Sequence, residues 1–128
     1  MKCKELICAQ SVVIDKTTNQ VSIFNIYENI FSPFFPISLS SVALFIQFER
    51  EMEIDPLNVT FNLNIRLNEN HLYTQPITIS FTEGDIKNNT TVNLQNMIVA
   101  QPGNLAFIVE YNGEEKKVTS FKIEMRRG

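Results

Sequence analysis

Residues 58 to 67 read Asn58-Val-Thr-Phe-Asn-Leu-Asn-Ile-Arg-Leu67, with Val59, Phe61, Leu63, Ile65 and Leu67 at every second position and polar side chains between them. Successive side chains of a strand point to opposite faces, whereas a helical repeat of 3.6 would scatter these residues around its circumference. The stretch is therefore a half-buried antiparallel strand, with one face on a core and the other in water.

Working outward, the same reading places a strand at residues 5 to 14, rich in β-branched Val12, Val13 and Ile14. The polar run Asp15-Lys-Thr-Thr-Asn19 turns the chain into a second strand from Val21 to Ile26, giving a hairpin. Asp15 and Asn19 are suited to cap that turn by Asx-type hydrogen bonds, and Ile23, Phe24 and Ile26 to anchor the hairpin in the core. Residues 40 to 48 are apolar on both faces, as expected of a central strand. Beyond residue 67, strands are predicted around Ile77 to Phe81, Val92 to Asn96, Leu105 to Tyr111 and Lys116 to Met125. Asn112-Gly113 between the last two is a strong hairpin signal, because both turn positions favour positive φ. In the final strand Val118 is out of phase with Phe121, Ile123 and Met125, which predicts a bulge at Thr119 or Ser120. Single helical turns fit only residues 83 to 88 or 95 to 100. About eight short strands with no helical periodicity define an all-β chain, an antiparallel two-sheet sandwich of immunoglobulin-like or related Greek-key type.

With 128 residues the chain has the length of a single sandwich domain, 1–128. Its net charge of -3 provides no positive field for sequence-independent nucleic-acid binding. Lys116, Lys117, Lys122, Arg126 and Arg127 gather near the end, interleaved with Glu114, Glu115 and Glu124, and read as a solvated strand face. The last strand, with its lysines and bulge, reads as a sheet edge blunted against pairing. No apolar run reaches signal-peptide or membrane-spanning length, so the expectation is a cytoplasmic protein without a membrane partner. Cys3 and Cys8 are an odd number of residues apart, on opposite faces of a regular strand, and read as free thiols.

Catalytic chemistry finds little support. His71 is the one histidine, in the polar segment Asn68-Glu-Asn-His71-Leu-Tyr73, and no nucleophile-elbow glycine pattern accompanies it. Two cysteines and a distant histidine do not make a zinc site, and no glycine loop cradles a phosphate or dinucleotide. No catalytic residue, metal or cofactor is therefore assigned. The acidic run Glu49, Glu51, Glu53 and Asp55 follows a strand and carries carboxylates of the kind calcium uses, but without the Asp, Asn and Gly of a typical calcium loop.

Two features suggest binding. Ile30-Phe-Ser-Pro-Phe-Phe-Pro-Ile37 concentrates Phe31, Phe34 and Phe35 between prolines that bar it from a central ladder. It either plugs one end of the sandwich or forms an apolar patch for a protein partner, with homodimerisation the simplest version. The alternative is recognition of a small ligand or carbohydrate by loops carrying Glu49, Glu51, His71 and Tyr73.

The string Ala9-Gln-Ser-Val-Val-Ile-Asp15, Thr18-Asn19, Ser22-Ile-Phe-Asn-Ile26 and Glu28 resembles the amino-terminal signature of a family of small uncharacterised bacterial β-sandwich proteins, a domain of unknown function. The resemblance covers mainly residues 9 to 50. It implies a bacterial or bacterial-virus origin and a compact sandwich, and it brings no activity and no functional residues. The expectation is a non-enzymatic interaction or scaffold module.

Overall fold

The structure, a computed structural model, describes residues 1–127. It contains nine strands and no helix among them: β1 (Lys2–Ile14), β2 (Val21–Ile26), β3 (Asn29–Ser32), β4 (Ile37–Glu49), β5 (Asn58–Leu67), β6 (Asn70–Ser80), β7 (Lys87–Val99), β8 (Gly103–Tyr111) and β9 (Glu114–Met125). One sheet runs β2-β1-β4-β7 and the other β3-β9-β8-β5-β6. Consecutive strands β4 and β5 lie in opposite sheets, and they pair with the consecutive strands β7 and β8. These crossings interlock the two sheets as a Greek-key sandwich rather than a closed barrel.

The alternating residues of β5 face the core, where Phe61, Leu63 and Ile65 are at most 2 % exposed. Opposite them Val42, Leu44, Ile46 and Phe48 of β4 are fully buried, and the Phe48 and Phe61 rings stack with centroids 3.8 Å apart. On the other face of β4, Ala43 and Phe45 are also buried, because β1 and β7 flank the strand on both sides. The two apolar faces of residues 40 to 48 thus mark a central strand, as expected.

Turn chemistry follows the sequence at two hairpins. Asn112 and Gly113 take φ of 53° and 77° between β8 and β9. Asp15 accepts hydrogen bonds from the Thr17 and Thr18 amides at 2.8 and 3.0 Å, and Asn19 sits at φ 59°. Those amides hold the Asp15 carboxyl below the usual carboxylate range.

Several expectations need correction. The ninth strand, β3, comes from the start of the Phe- and Pro-containing connection; it lies parallel to β9 and stops just before Pro33. With β3 on one side and β8 on the other, β9 is an interior strand, not a blunted edge. Thr119 and Ser120 are in regular register, so the expected bulge is not there; the irregularity lies at Lys116, beside the hairpin turn. Val118 is 51 % exposed and simply faces outward, which is why its phase differed. The segment after β5 is not a loop to Tyr73: Asn68 and Glu69 form a two-residue turn with φ of 51° and 69°, and β6 begins at Asn70. Residues 95 to 99 continue β7 rather than forming a helical turn.

A second bulge reverses the reading of the cysteines. Cys3 pairs with Phe48 and Glu5 with Gln47, so Lys4 is the extra residue. One inserted residue shifts the strand's parity, and Cys3 joins Leu6 and Cys8 on the same, core-facing side. Both thiols are free and buried. Burial pushes the Cys8 thiol up to about 12 and that of Cys3 up to about 11, with nearby Lys117 partly opposing the latter.

Both thiols are accordingly expected to resist a maleimide or a disulfide reagent at neutral pH in the native protein and to react fully in denaturant. A raised thiol pKa stabilises the fold in full below the unfolded value of about 8.5. Stability should therefore fall as pH rises from there towards about 11. Denaturant midpoints measured across that range check the sign.

Candidate functional site

The β1–β2 hairpin stands apart from the rest of the sandwich. Pairing between β1 and β4 ends at Ala9 opposite Ala43, and a bond from Ser41 Oγ to the Gln10 carbonyl at 2.9 Å is the last link before the strands part. Beyond it, β1 from Ser11 to Ile14 pairs with β2 alone. β1 is also the only strand on which β2 packs to any extent. The ribbon is apolar, yet Val12, Val13, Ile14, Val21, Ile23, Phe24 and Ile26 all escape full burial. Val13, Phe24 and Ile26 are 53 %, 52 % and 57 % exposed. The expected anchoring of Phe24 and Ile26 in the core is therefore not found: opposite Ser11 and Ala9 they occupy the outer face, and Ile23 is only half-buried.

The three phenylalanines of the connection have separate fates. Phe35 packs against the core cluster and serves as the end plug. Phe31, 44 % exposed, lies beneath the Arg126 guanidinium at 3.9 Å from its ring centroid. Phe34 alone stands free, at 66 % exposure, on a turn where Ser32 Oγ donates to the Phe34 carbonyl at 2.8 Å. Of the three rings, only those of Phe31 and Phe34 stay on the exposed surface.

Glu49 and Glu51 are not brought together with His71 and Tyr73. The first pair lies at the end of the sandwich where β5 begins, the second where β5 ends. The ten residues of β5 separate the two groups by about 30 Å at the usual strand rise. His71 lies exposed on edge strand β6, 3.3 Å from Thr74 Oγ1. Thr74 donates its hydroxyl proton to Asn64 Oδ1 at 2.7 Å, and Asn64 Nδ2 donates to Glu110 at 3.2 Å. The hydroxyl proton is thus directed away from the imidazole, so this chain of contacts does not set His71 up as a base towards Thr74. Tyr73 borders a cleft of about 500 Å3 between β6 and β7, lined also by Leu72, Leu94, Met97 and Ile98.

The acidic run does not continue as a strand. After Glu49 the chain turns, Asp55 accepts the Glu51 amide at 2.7 Å and pairs with the Met1 amino group at 2.8 Å. These donors hold the Asp55 carboxyl below its usual range. Among the described residues no group of three or more His, Cys, Asp or Glu side chains is placed to hold a metal ion. What residue-by-residue reading missed is Arg50, buried at 7 % exposure between two glutamates. Its flanking charges made it look like part of a solvated run, and no periodic signal marks it.

A family model matches residues 6–124, nearly all of this architecture. The chain belongs to DUF6941, a family of unknown function. The match takes in the hairpin signature at residues 9 to 28 and extends well past residue 50, through β9 to Glu124. No curated protein matches the DUF6941 chain, and no solved structure does. No helix among the described residues is long and apolar enough to cross a membrane.

The separation of the phenylalanines is directly testable. Phe34→Asp should leave stability within about 0.5 kcal/mol of the parent, as for an ordinary surface change. Phe35→Asp should cost more than about 3 kcal/mol, since it places a carboxylate against the core. Chemical denaturation of the two variants side by side distinguishes them.

Proposed function

We propose that this chain is a non-enzymatic protein-interaction module whose β1–β2 hairpin docks on a second copy of the chain. The observation that carries the reading is the ribbon itself, an apolar two-stranded projection in which no large side chain reaches full burial. A two-stranded hairpin is at best marginally stable alone in water, and an exposed apolar surface of this kind is stabilised by a partner.

The edge strand supports the same reading. Val21–Ile26 carries no charge, no proline and no register shift, the usual devices against edge pairing. The other edges are less open: β3 has four residues, β6 contains Pro76 and a bulge at Leu72, and β7 bends where Asn96 takes φ 54°. Asn25, at φ 57°, confines the straight part of the β2 edge to Val21–Phe24. Antiparallel pairing of two such edges is self-complementary about a two-fold axis. An uncharged β2 edge also lets two copies of net charge -3 meet there without placing like charges in contact. A bacterial or bacterial-virus protein working in a reducing cytoplasm fits the resemblance of the hairpin and the two free thiols.

Sedimentation across a concentration series tests the proposal. The parent protein should form a dimer, and Phe24→Asp should weaken it on the order of a hundredfold or more, because each copy loses an aromatic contact. The variant should remain folded, since Phe24 is half exposed. A parent protein that stays monomeric, or a dimer indifferent to Phe24→Asp, would overturn the hairpin as a self-association surface.

A further inference from the structure

Arg50 is the only charged residue among those described that is so fully buried, at 7 % exposure. Its amide donates to the Ile86 carbonyl at 2.8 Å, its Nε donates to the Asp85 carbonyl at 2.8 Å, and its guanidinium stands 5.6 Å over the Phe81 ring. These contacts hold the side chain in place, but none supplies a negative charge. Ion pairs among the described residues join Met1 to Asp55, Arg66 to Glu115 and Lys116 to Glu114, and none of the described carboxylates comes within 4.0 Å of Arg50. Buried charges are ordinarily paired, and a cation–π contact does not supply a counter-charge.

The open side of Arg50 faces a recess of about 420 Å3 that it lines with Lys2, Glu49, Glu51 and the methionines Met1 and Met52. A second recess of about 350 Å3 shares Met1 and Lys2 as its wall and is completed by Cys3, Lys4, Lys116 and Lys117, with no carboxylate in its lining. The two bulges explain this concentration of lysines. β1 and β9 are neighbours across the sandwich, each inserts an extra residue at this end, and both extra residues, Lys4 and Lys116, are lysines. Bulges re-aim side chains in this way. Lys117 Nζ is fixed on the Lys4 carbonyl at 3.1 Å, tying the two strands together.

We propose that this end of the sandwich binds a small molecule carrying at least two linked phosphate groups. One phosphate would sit on the Arg50 guanidinium beside Lys2, and the next among Lys4, Lys116 and Lys117. A tetrahedral oxyanion offers the several acceptor oxygens that a guanidinium fork and a set of ammonium groups satisfy together. Both recesses are lined by Met1 and Lys2, so they are adjacent, and a ligand with two linked phosphates is the kind that could reach both across Lys2. Glu49 and Glu51 oppose the anion at the Arg50 end, Glu114, which pairs with Lys116 at 3.4 Å, opposes it at the other, and together they set a limit on affinity.

Titration with inorganic pyrophosphate at constant ionic strength, followed by calorimetry and by backbone amide shifts, tests the site. Saturable one-to-one binding is expected, with shifts confined to residues 2–4, 50–52 and 116–117 and a much weaker response to sulfate. Lys2→Gln, on the shared wall, should weaken binding about tenfold while leaving the melting temperature unchanged, and Glu51→Gln should tighten it about threefold. Repeating the titration with a nucleoside triphosphate distinguishes the source: tighter binding than pyrophosphate identifies a nucleotide, equal binding a free polyphosphate. Shifts that grow linearly without saturation, that spread equally over all lysines, or that survive Lys2→Gln undiminished would overturn the proposal.

Discussion

The fold depends on β4 and β5 facing each other across the core. β4 can be apolar on both faces because β1 and β7 hydrogen-bond to it on either side, and β5 lies beneath it with Phe61 stacked on Phe48. Once those two strands are set, the connections that leave them must cross between sheets, and β7 and β8 are drawn in beside them. The irregularities are consequences of that constraint. β1 inserts Lys4 so that Cys3, Leu6 and Cys8 can all face inward along a twisted neighbour, and β9 inserts Lys116 as it leaves its tight turn.

The two sheets treat their outer faces differently. On β5 and β6, directly opposed residues bond across the strands: Asn58 with Ser80 at 2.6 Å, Thr60 with Thr78 at 3.1 Å, Asn64 with Thr74 at 2.7 Å. That surface is polar and internally satisfied, and His71 belongs to it as one more member. The outer face of the β1–β2 hairpin is apolar instead, with Phe24, Ile26 and Val13 exposed on it. Cross-strand polar pairs finish a surface for water, whereas an apolar field ending at an unpaired edge leaves it open to another chain. The contrast is why the hairpin, rather than the histidine, carries the functional reading.

Charge shows a similar division. An overall acidic chain places Lys2, Lys4, Lys116 and Lys117 together at one end, next to a buried arginine without a carboxylate partner among the described residues. The aromatic connection at the other end resolves into a core plug, a ring capped by Arg126 and one free side chain. The sandwich thus presents three chemically distinct regions: an end where lysines and carboxylates mix around Arg50, an aromatic end and a projecting apolar edge.

Period-two alternation was enough to show the strand at residues 58 to 67, the two-faced strand at 40 to 48 and the sandwich as a class, because burial on one or both faces writes directly into residue type. Turn residues that require positive φ likewise showed the hairpin at Asn112-Gly113 and the cap at Asp15, since those preferences are local. The bulges at Lys4 and Lys116 were not legible, because a bulge exists only relative to the strand it pairs with. The parallel pairing of Asn29–Ser32 with β9, the exposure of Phe24 and Ile26, and the burial of Arg50 depend on residues far away in the chain. Alternation states that one face is apolar; only the tertiary structure decides whether another sheet arrives to cover it, and over the β1–β2 hairpin none does.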